Sequence, residues 1–464
     1  MTTRNPLSAK GVYSNYLLRR HFRLFVLLAL IPIVLGCPVL IPQPRDAYVD
    51  GRLRVTYWEK WTGFEGEAIK KVVDHFNGMQ DRIYVDLVTM SQIDRKALIA
   101  ISGGSPPDIV GLWSAGLPQF AEKRAVMPLT PFMEKAGMRK EDFIPVFLDL
   151  NCYRGELYGL PTTPATMALH WNKKLFREAG LDPERPPHTL EELDAMAEKL
   201  TKFGADGHLV QLGFTPAEPG WWPWAWGFWF GGRLWDGENI TFDCPENLAA
   251  YRWIASYTEK YGAEELRRFQ SGLGGNFDSP QNAFFSGRVA MVLQGVWLAN
   301  FINQYVPDLE WAAAPFPSGV PGLDNVTMAE CDSVVIPVGA PHPDEAFEFI
   351  RFLCSQEGLE MLNMGQQKFT PLKNVSPAFI EGHPNPYIQL FIDLAKSPHA
   401  YHPPDLSIWF EYNDEITAAF DTILFGTKTP EQALEQVQTR VSAIWARAKQ
   451  RIEMREAVEK GNAP

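Results

Sequence analysis

Leu53-Arg54-Val55-Thr56-Tyr57-Trp58 alternates with the period of a half-buried strand. An amphipathic helix is predicted over residues 65–77, with Ile69, Val72, Val73 and Phe76 on one face. Ile83-Tyr84-Val85-Asp86-Leu87-Val88 reads as a second strand and residues 95–101 as a second helix. Ser102-Gly103-Gly104-Ser105-Pro106-Pro107 stops that helix and re-aims the chain into a third strand, Asp108-Ile109-Val110-Gly111-Leu112. This alternation is the signature of a parallel sheet covered by helices, in which ligands sit at the carboxyl ends of the strands. Trp58-Glu59-Lys60-Trp61 and Trp113-Ser114, which follow the first and third strands, therefore share one rim.

A second aromatic rim lies downstream, in Trp221-Trp222-Pro223-Trp224-Ala225-Trp226-Gly227-Phe228-Trp229-Phe230-Gly231-Gly232-Arg233-Leu234-Trp235, with Glu218 just before it. Trp is large and its N–H wants a polar partner, so so much indole in one place has three readings. The run is a helix packed on all sides, a platform for the C–H faces of sugar rings, or a membrane-interface belt. If it is helical, Trp226, Trp229 and Phe230 turn inward.

With 464 residues the chain exceeds one hydrophobic core, so two lobes are expected. A formal net charge of −12 argues against nucleic acid, which demands a Lys/Arg excess. At the N-terminus, Arg4, Lys10, Arg19, Arg20 and Arg23 precede an apolar run from Leu24 to Ile41, the pattern of an export segment. Val34-Leu35-Gly36-Cys37 resembles a bacterial lipobox, which would make Cys37 the acylation site of a lipoprotein. The run also nears the ~20 residues of a spanning helix, so an uncleaved anchor and an ordinary cleaved signal stay open. All three put the protein outside the cytoplasm, periplasmic or at the cell surface. Cys152, Cys244, Cys331 and Cys354 are widely spaced, which allows one or two disulfides in an oxidising compartment and argues against a structural zinc site.

Seven short segments, in order, resemble the extracellular solute-binding proteins of ATP-driven sugar importers, the group that includes maltose-binding protein. They are the Ser102–Val110 stretch, Leu157-Tyr158-Gly159-Leu160-Pro161, His170-Trp171-Asn172-Lys173-Lys174-Leu175-Phe176, Gly231-Gly232-Arg233-Leu234-Trp235, Ala283-Phe284-Phe285-Ser286-Gly287-Arg288-Val289-Ala290-Met291, Gly295-Val296-Trp297 and Thr429-Pro430-Glu431-Gln432-Ala433-Leu434-Glu435. In the last, Thr429 caps a helix, with Pro430 at its first position and Gln432 at the capping-box position. The resemblance implies an α/β, two-lobed periplasmic-binding-protein-like fold of type II, each lobe a central sheet flanked by helices, with an interlobe hinge. Residues 1–43 would be the targeting segment, 50–162 and 315–362 the first lobe, 163–314 and 363–450 the second, and 451–464 a tail. Crossings between lobes are expected near 160–166, 314–319 and 361–370.

It also implies a ligand cleft. Trp297, in its Gly-x-Trp setting, takes the place where the family stacks a sugar ring, and Glu218, Trp221, Trp222 and Trp224 occupy a Glu-Pro-aromatic segment that contacts sugar. On the opposite lobe Glu59, Trp61, Trp113 and Ser114 stand in ligand-contacting loops. Asp332, ahead of the apolar strand Val334-Val335-Ile336, and Trp409, before a C-terminal helix, complete the candidates. Catalysis finds no motif: HExxH, GxSxG, a Walker loop and an EF-hand are all missing, and the nine His lack metal spacing. The expectation is a monomeric carbohydrate receptor, without cofactor or metal, that closes on its ligand and delivers it to the permease subunits of an importer, tethered to the membrane by a lipid or an N-terminal helix. A receptor for a non-sugar solute such as a polyamine or phosphoester, and a secreted glycan-active enzyme, are the rival readings.

Overall fold

The computed structural model describes residues 47–218, 222–273, 278–459 and 461. Residues up to Gly51 form a small unit of their own, whose described part carries the strand Tyr48–Val49; Arg52–Pro464 forms the other unit, to which all elements named from here on belong. It opens with β1 (Arg52–Glu59), α1 (Gly63–Met79), β2 (Ile83–Thr89), α2 (Ile93–Ser102) and β3 (Ile109–Trp113), the order predicted from periodicity. β1 pairs in parallel with both β2 and β3. Alternation sends Val55, Tyr57 and Val85 to one face, where Ala68, Ile69, Val72, Val73 and Phe76 of α1 cover them. Val110 and Leu112 go to the other, against Ile93 and Ala97 of α2. The Gly-Gly-Ser-Pro-Pro turn ends α2 with Gly104 at φ +72°. Asp108 then pins the third strand to the first: its carboxylate accepts from Thr56 N at 2.7 Å, Thr56 Oγ1 at 2.9 Å and His342 N at 2.9 Å.

The second lobe is joined to this sheet through two long strands. After β4 (Leu160–Asn172) come β5 (Leu209–Phe214), β6 (Val289–Gly295), β7 (Trp311–Ala314) and β8 (Thr327–Val335), and the sheet runs β2-β1-β3-β8-β4-β6-β5. β4, buried along its whole length, pairs antiparallel with β8 over its first half and with β6 over its second. Its Leu160 belongs to the first-lobe core, whereas Met167, Ala168, Leu169 and Trp171 belong to the second. β8 makes the return journey, with Met328, Ala329 and Cys331 in the second core and Val334 in the first. The return therefore falls on β8 and not on 314–319, because Phe316 packs its ring against Trp226 and Trp229 at 5.8 and 5.7 Å in the second lobe. The result is the two-lobed, type II architecture, with a hinge made of adjacent antiparallel strands.

Four helices complete the elements that matter for function: α3 (Leu298–Tyr305), α4 (Gln356–Gln366), α5 (Trp409–Leu424) and α6 (Pro430–Glu459). α6 starts as its sequence dictates, Thr429 Oγ1 accepting from Gln432 N at 3.3 Å and Gln432 Oε1 from Thr429 N at 3.2 Å. The tryptophan run forms a 3-10 helix, Pro223–Phe230, in which every residue from 224 to 230 is buried. Core packing wins there, and a membrane-interface belt is excluded for those residues. Cys152, Cys244, Cys331 and Cys354 are all free thiols, so the disulfides that the compartment would allow are not formed.

Candidate functional site: an indole-walled cleft at the hinge

The first wall begins where β1 ends. Glu59 points inward, with its carboxylate accepting from Tyr57 Oη at 2.5 Å and from Lys60 N at 2.7 Å. It occupies the space that a side chain at Gly111 would need, since a Cβ there would lie 2.2 Å from Glu59 Oε2. Glu59, 4% exposed, is thus a buried support for the loop and does not line the cleft. The next residue, Lys60, turns its ammonium to Asp332 Oδ1 at 3.0 Å, with Glu59 Oε1 at 3.5 Å. Burial would lower the pKa of Lys60, but Asp332 and then Glu59 outweigh it and hold the ammonium above its ordinary range. Tyr57 is pushed up by burial and by Glu59, which keeps its hydroxyl a donor.

Asp332, on crossing strand β8, also accepts from Trp61 Nε1 at 3.0 Å and from Thr163 Oγ1 of crossing strand β4. Trp61 is held further by Lys60 and Lys368, whose ammoniums lie 5.2 and 4.6 Å from its ring centroid. Lys368 is itself paired with Glu65 at 2.7 Å. Trp113, at the end of β3, meets Trp61 edge-on at 5.3 Å and is 45% exposed, so it offers an open indole face.

The facing wall comes from the second lobe. Trp297 follows β6 and folds its ring over Gly295, where an added Cβ would lie 2.5 Å from the indole; the Gly-x-Trp spacing exists for that contact. Its Nε1 donates to Gln294 Oε1 at 3.2 Å, and its ring centroid lies 5.3 Å from that of Trp222. Between the walls is a cavity of about 360 Å³, lined by Trp61, Trp113, Ser114, Thr163, Trp222, Trp297, Phe301, Glu330, Asp332 and Lys368 among others. That volume lies in the usual range for small-molecule sites, roughly 300–1,000 Å³. Glu330 keeps part of its surface open, but desolvation and then Asp332 push its pKa up to about 8.

The structure thus brings six of the sequence-derived candidates, Trp61, Trp113, Ser114, Trp222, Trp297 and Asp332, to one cavity. Glu218 lies beside it, on a second cavity of about 340 Å³ that shares Trp222. Burial pushes the Glu218 carboxyl up to about 8, with the amides of Gln294 and Asn282 opposing. Trp224 and Trp409 do not reach either cavity: they meet edge-on at 5.1 Å in the second-lobe core, 2% and 4% exposed. Trp221 and Cys37 lie outside the described residues. Lys368, Glu65, Phe301 and Thr163 were not among the candidates. No motif marks them: Phe301 comes from α3 and Thr163 from crossing strand β4, while the packing of α1 against α4 brings Glu65 and Lys368 together.

Residues 63–360 match the family model of the bacterial extracellular solute-binding proteins. The chain belongs to that family. Membership places its work outside the cytoplasm. A putative binding protein of Brucella abortus (strain 2308) is 25% identical over 417 residues, 85% of this chain and 92% of the relative. The sn-glycerol-3-phosphate-binding periplasmic protein UgpB of Pectobacterium atrosepticum is 21% identical over the same shares of the two chains. Among solved structures, CpMnBP1 with mannobiose bound is similar with a TM-score of 0.73 and 29% identity, covering 83% of this chain and 98% of that one. The same protein with mannotriose bound gives 0.73 and 30%, with 84% and 99% covered.

Proposed function

We propose that this solute-binding protein is a carbohydrate receptor, which captures a sugar or short oligosaccharide between its lobes and delivers it to the permease subunits of an ATP-binding-cassette importer. The observation that carries the reading is the pairing of indoles on opposite walls, Trp61 and Trp113 facing Trp222 and Trp297, around carboxylates and hydroxyls at the hinge. Aromatic faces take the C–H surface of a pyranose, and Asp332, Glu330, Thr163 and Ser114 are suited to its hydroxyls. Similarity to a protein solved with mannobiose and mannotriose favours the same ligand class. Ligand touching both walls would favour the closed arrangement by its differential affinity for it. The protein would bind without turnover, and as a monomer.

A phosphoester ligand, as in the UgpB relatives, fits less well. Lys60 and Lys368 are each held by a carboxylate, Asp332 and Glu65, so a phosphate would have to break an existing pair. Calorimetric titration with mannobiose, mannotriose, sn-glycerol 3-phosphate and spermidine tests the reading. Saturable heat with a mannoside and no released reducing sugar supports it; binding of glycerol 3-phosphate or spermidine alone overturns the carbohydrate ligand. Acylation of Cys37 would tether the receptor, and recovery of a Cys37→Ala variant in the membrane fraction at the wild-type level would sink that anchor.

A further inference from the structure

α6 is rooted in the second lobe, where Ala433, Leu434, Val437, Val441 and Ala448 belong to its core. Arg455 lies seven residues past Ala448, so the helix projects about 10 Å beyond its last core-packed turn at 1.5 Å per residue. The projecting end touches the first lobe twice. Arg455 donates to the carbonyl oxygen of Glu122 and pairs with its carboxylate at 3.6 Å, and Glu456 pairs with Arg154. Glu122 follows Phe120 and Ala121, and Arg154 follows Tyr153, all three in the first-lobe core.

Arg154 sits in the left-handed region of backbone space. It and Gly155 form the two-residue turn between Cys152–Tyr153 and Glu156–Leu157, with φ of +53° and +82°. A turn with both central φ values positive favours Asn, Asp or Gly at its first position, and an arginine there is held in the left-handed region. The turn aims that arginine at Glu456.

We propose that the end of α6 is an electrostatic latch between the lobes, stabilising the arrangement in which both walls enclose the cleft. The latch touches no ligand. It biases the hinge by the difference between paired and unpaired states, and exposed pairs of this kind are individually weak. Two together would alter ligand affinity by about three- to tenfold, and salt would weaken them. The inference rests on the receptor reading only for its effect on affinity.

Small-angle scattering of the ligand-free protein tests the latch without any ligand. Arg154→Glu should raise the radius of gyration and flatten its dependence on salt, and Arg154→Glu combined with Glu456→Arg should restore both. An Arg154→Glu protein with wild-type dimensions and wild-type salt response overturns the proposal, as does an expansion that the charge swap leaves uncorrected. Mannobiose titration of the same proteins is a separate arm. If mannobiose binds wild type, its Kd should rise about two- to fivefold in Arg154→Glu, which breaks one of the two pairs, and return in the swap; an unchanged Kd overturns the effect on affinity. If mannobiose fails to bind wild type, that outcome counts against the carbohydrate reading, and scattering still decides the latch.

Discussion

Asp332 accepts a hydrogen bond from Trp61 Nε1 at 3.0 Å, although the two residues are 271 positions apart. The same carboxylate holds Lys60 at 3.0 Å and Thr163, so one side chain on a crossing strand fixes a wall of the cleft and touches the other crossing strand. Replacing it by Asn keeps an acceptor for Trp61 but leaves the Lys60 ammonium with only the Glu59 carboxylate at 3.5 Å as counter-charge, beside the Leu112 carbonyl at 3.4 Å. Breaking a buried pair in this way costs about 3–5 kcal/mol. Asp332→Asn should lower the unfolding free energy in urea by that order, and an unchanged midpoint would refute the role of the pair.

Trp113 and Trp224 should behave in opposite ways. Trp113 is 45% exposed and open to the cavity, so Trp113→Ala should weaken sugar binding by about 0.5–1.5 kcal/mol, the contribution of a stacked aromatic pair. Its melting temperature should stay close to wild type. Trp224→Ala removes a core side chain packed on Trp409 and should cost about 3–5 kcal/mol of stability. Calorimetry and denaturation of the two variants side by side separate the cases.

The pKa of Glu218, about 8 when folded against 4.5 as the ordinary value, makes stability depend on pH with a definite sign. The folded state binds the extra proton, so its stability falls as pH rises from 4.5 to 8. Glu330, also pushed up to about 8, contributes in the same sense. Glu218→Gln should therefore gain on wild type as pH rises through that window. The difference between the two proteins isolates Glu218 from His170, whose pKa burial lowers to about 3 and whose effect has the opposite sign. Melting curves from acidic to mildly alkaline pH check this, and parallel curves for the two proteins would refute it.

Because Cys152, Cys244, Cys331 and Cys354 are free, a reductant should leave the melting temperature unchanged. Thiol titration of the denatured, unreduced protein should find all four reactive.

Local periodicity and turn chemistry in the sequence determined the strand–helix alternation of the first lobe, the turn at Gly104 and the cap at Thr429, because each depends on neighbours a few residues away. The same locality put Trp61, Trp113 and Trp297 on the ends of strands, where a ligand can be met. The tertiary structure alone decided which indoles face the cavity and which fill the core. Trp222 and Trp224 look alike in sequence, yet a 3-10 helix beginning at Pro223 turns one to the cleft and the other onto Trp409. It also decided that Glu59 is a support, that the return crossing lies on β8, and that Lys368 and Glu65 join the site. Those outcomes depend on contacts between residues tens to hundreds of positions apart, where shape and charge must match in space and leave no periodic trace along the chain.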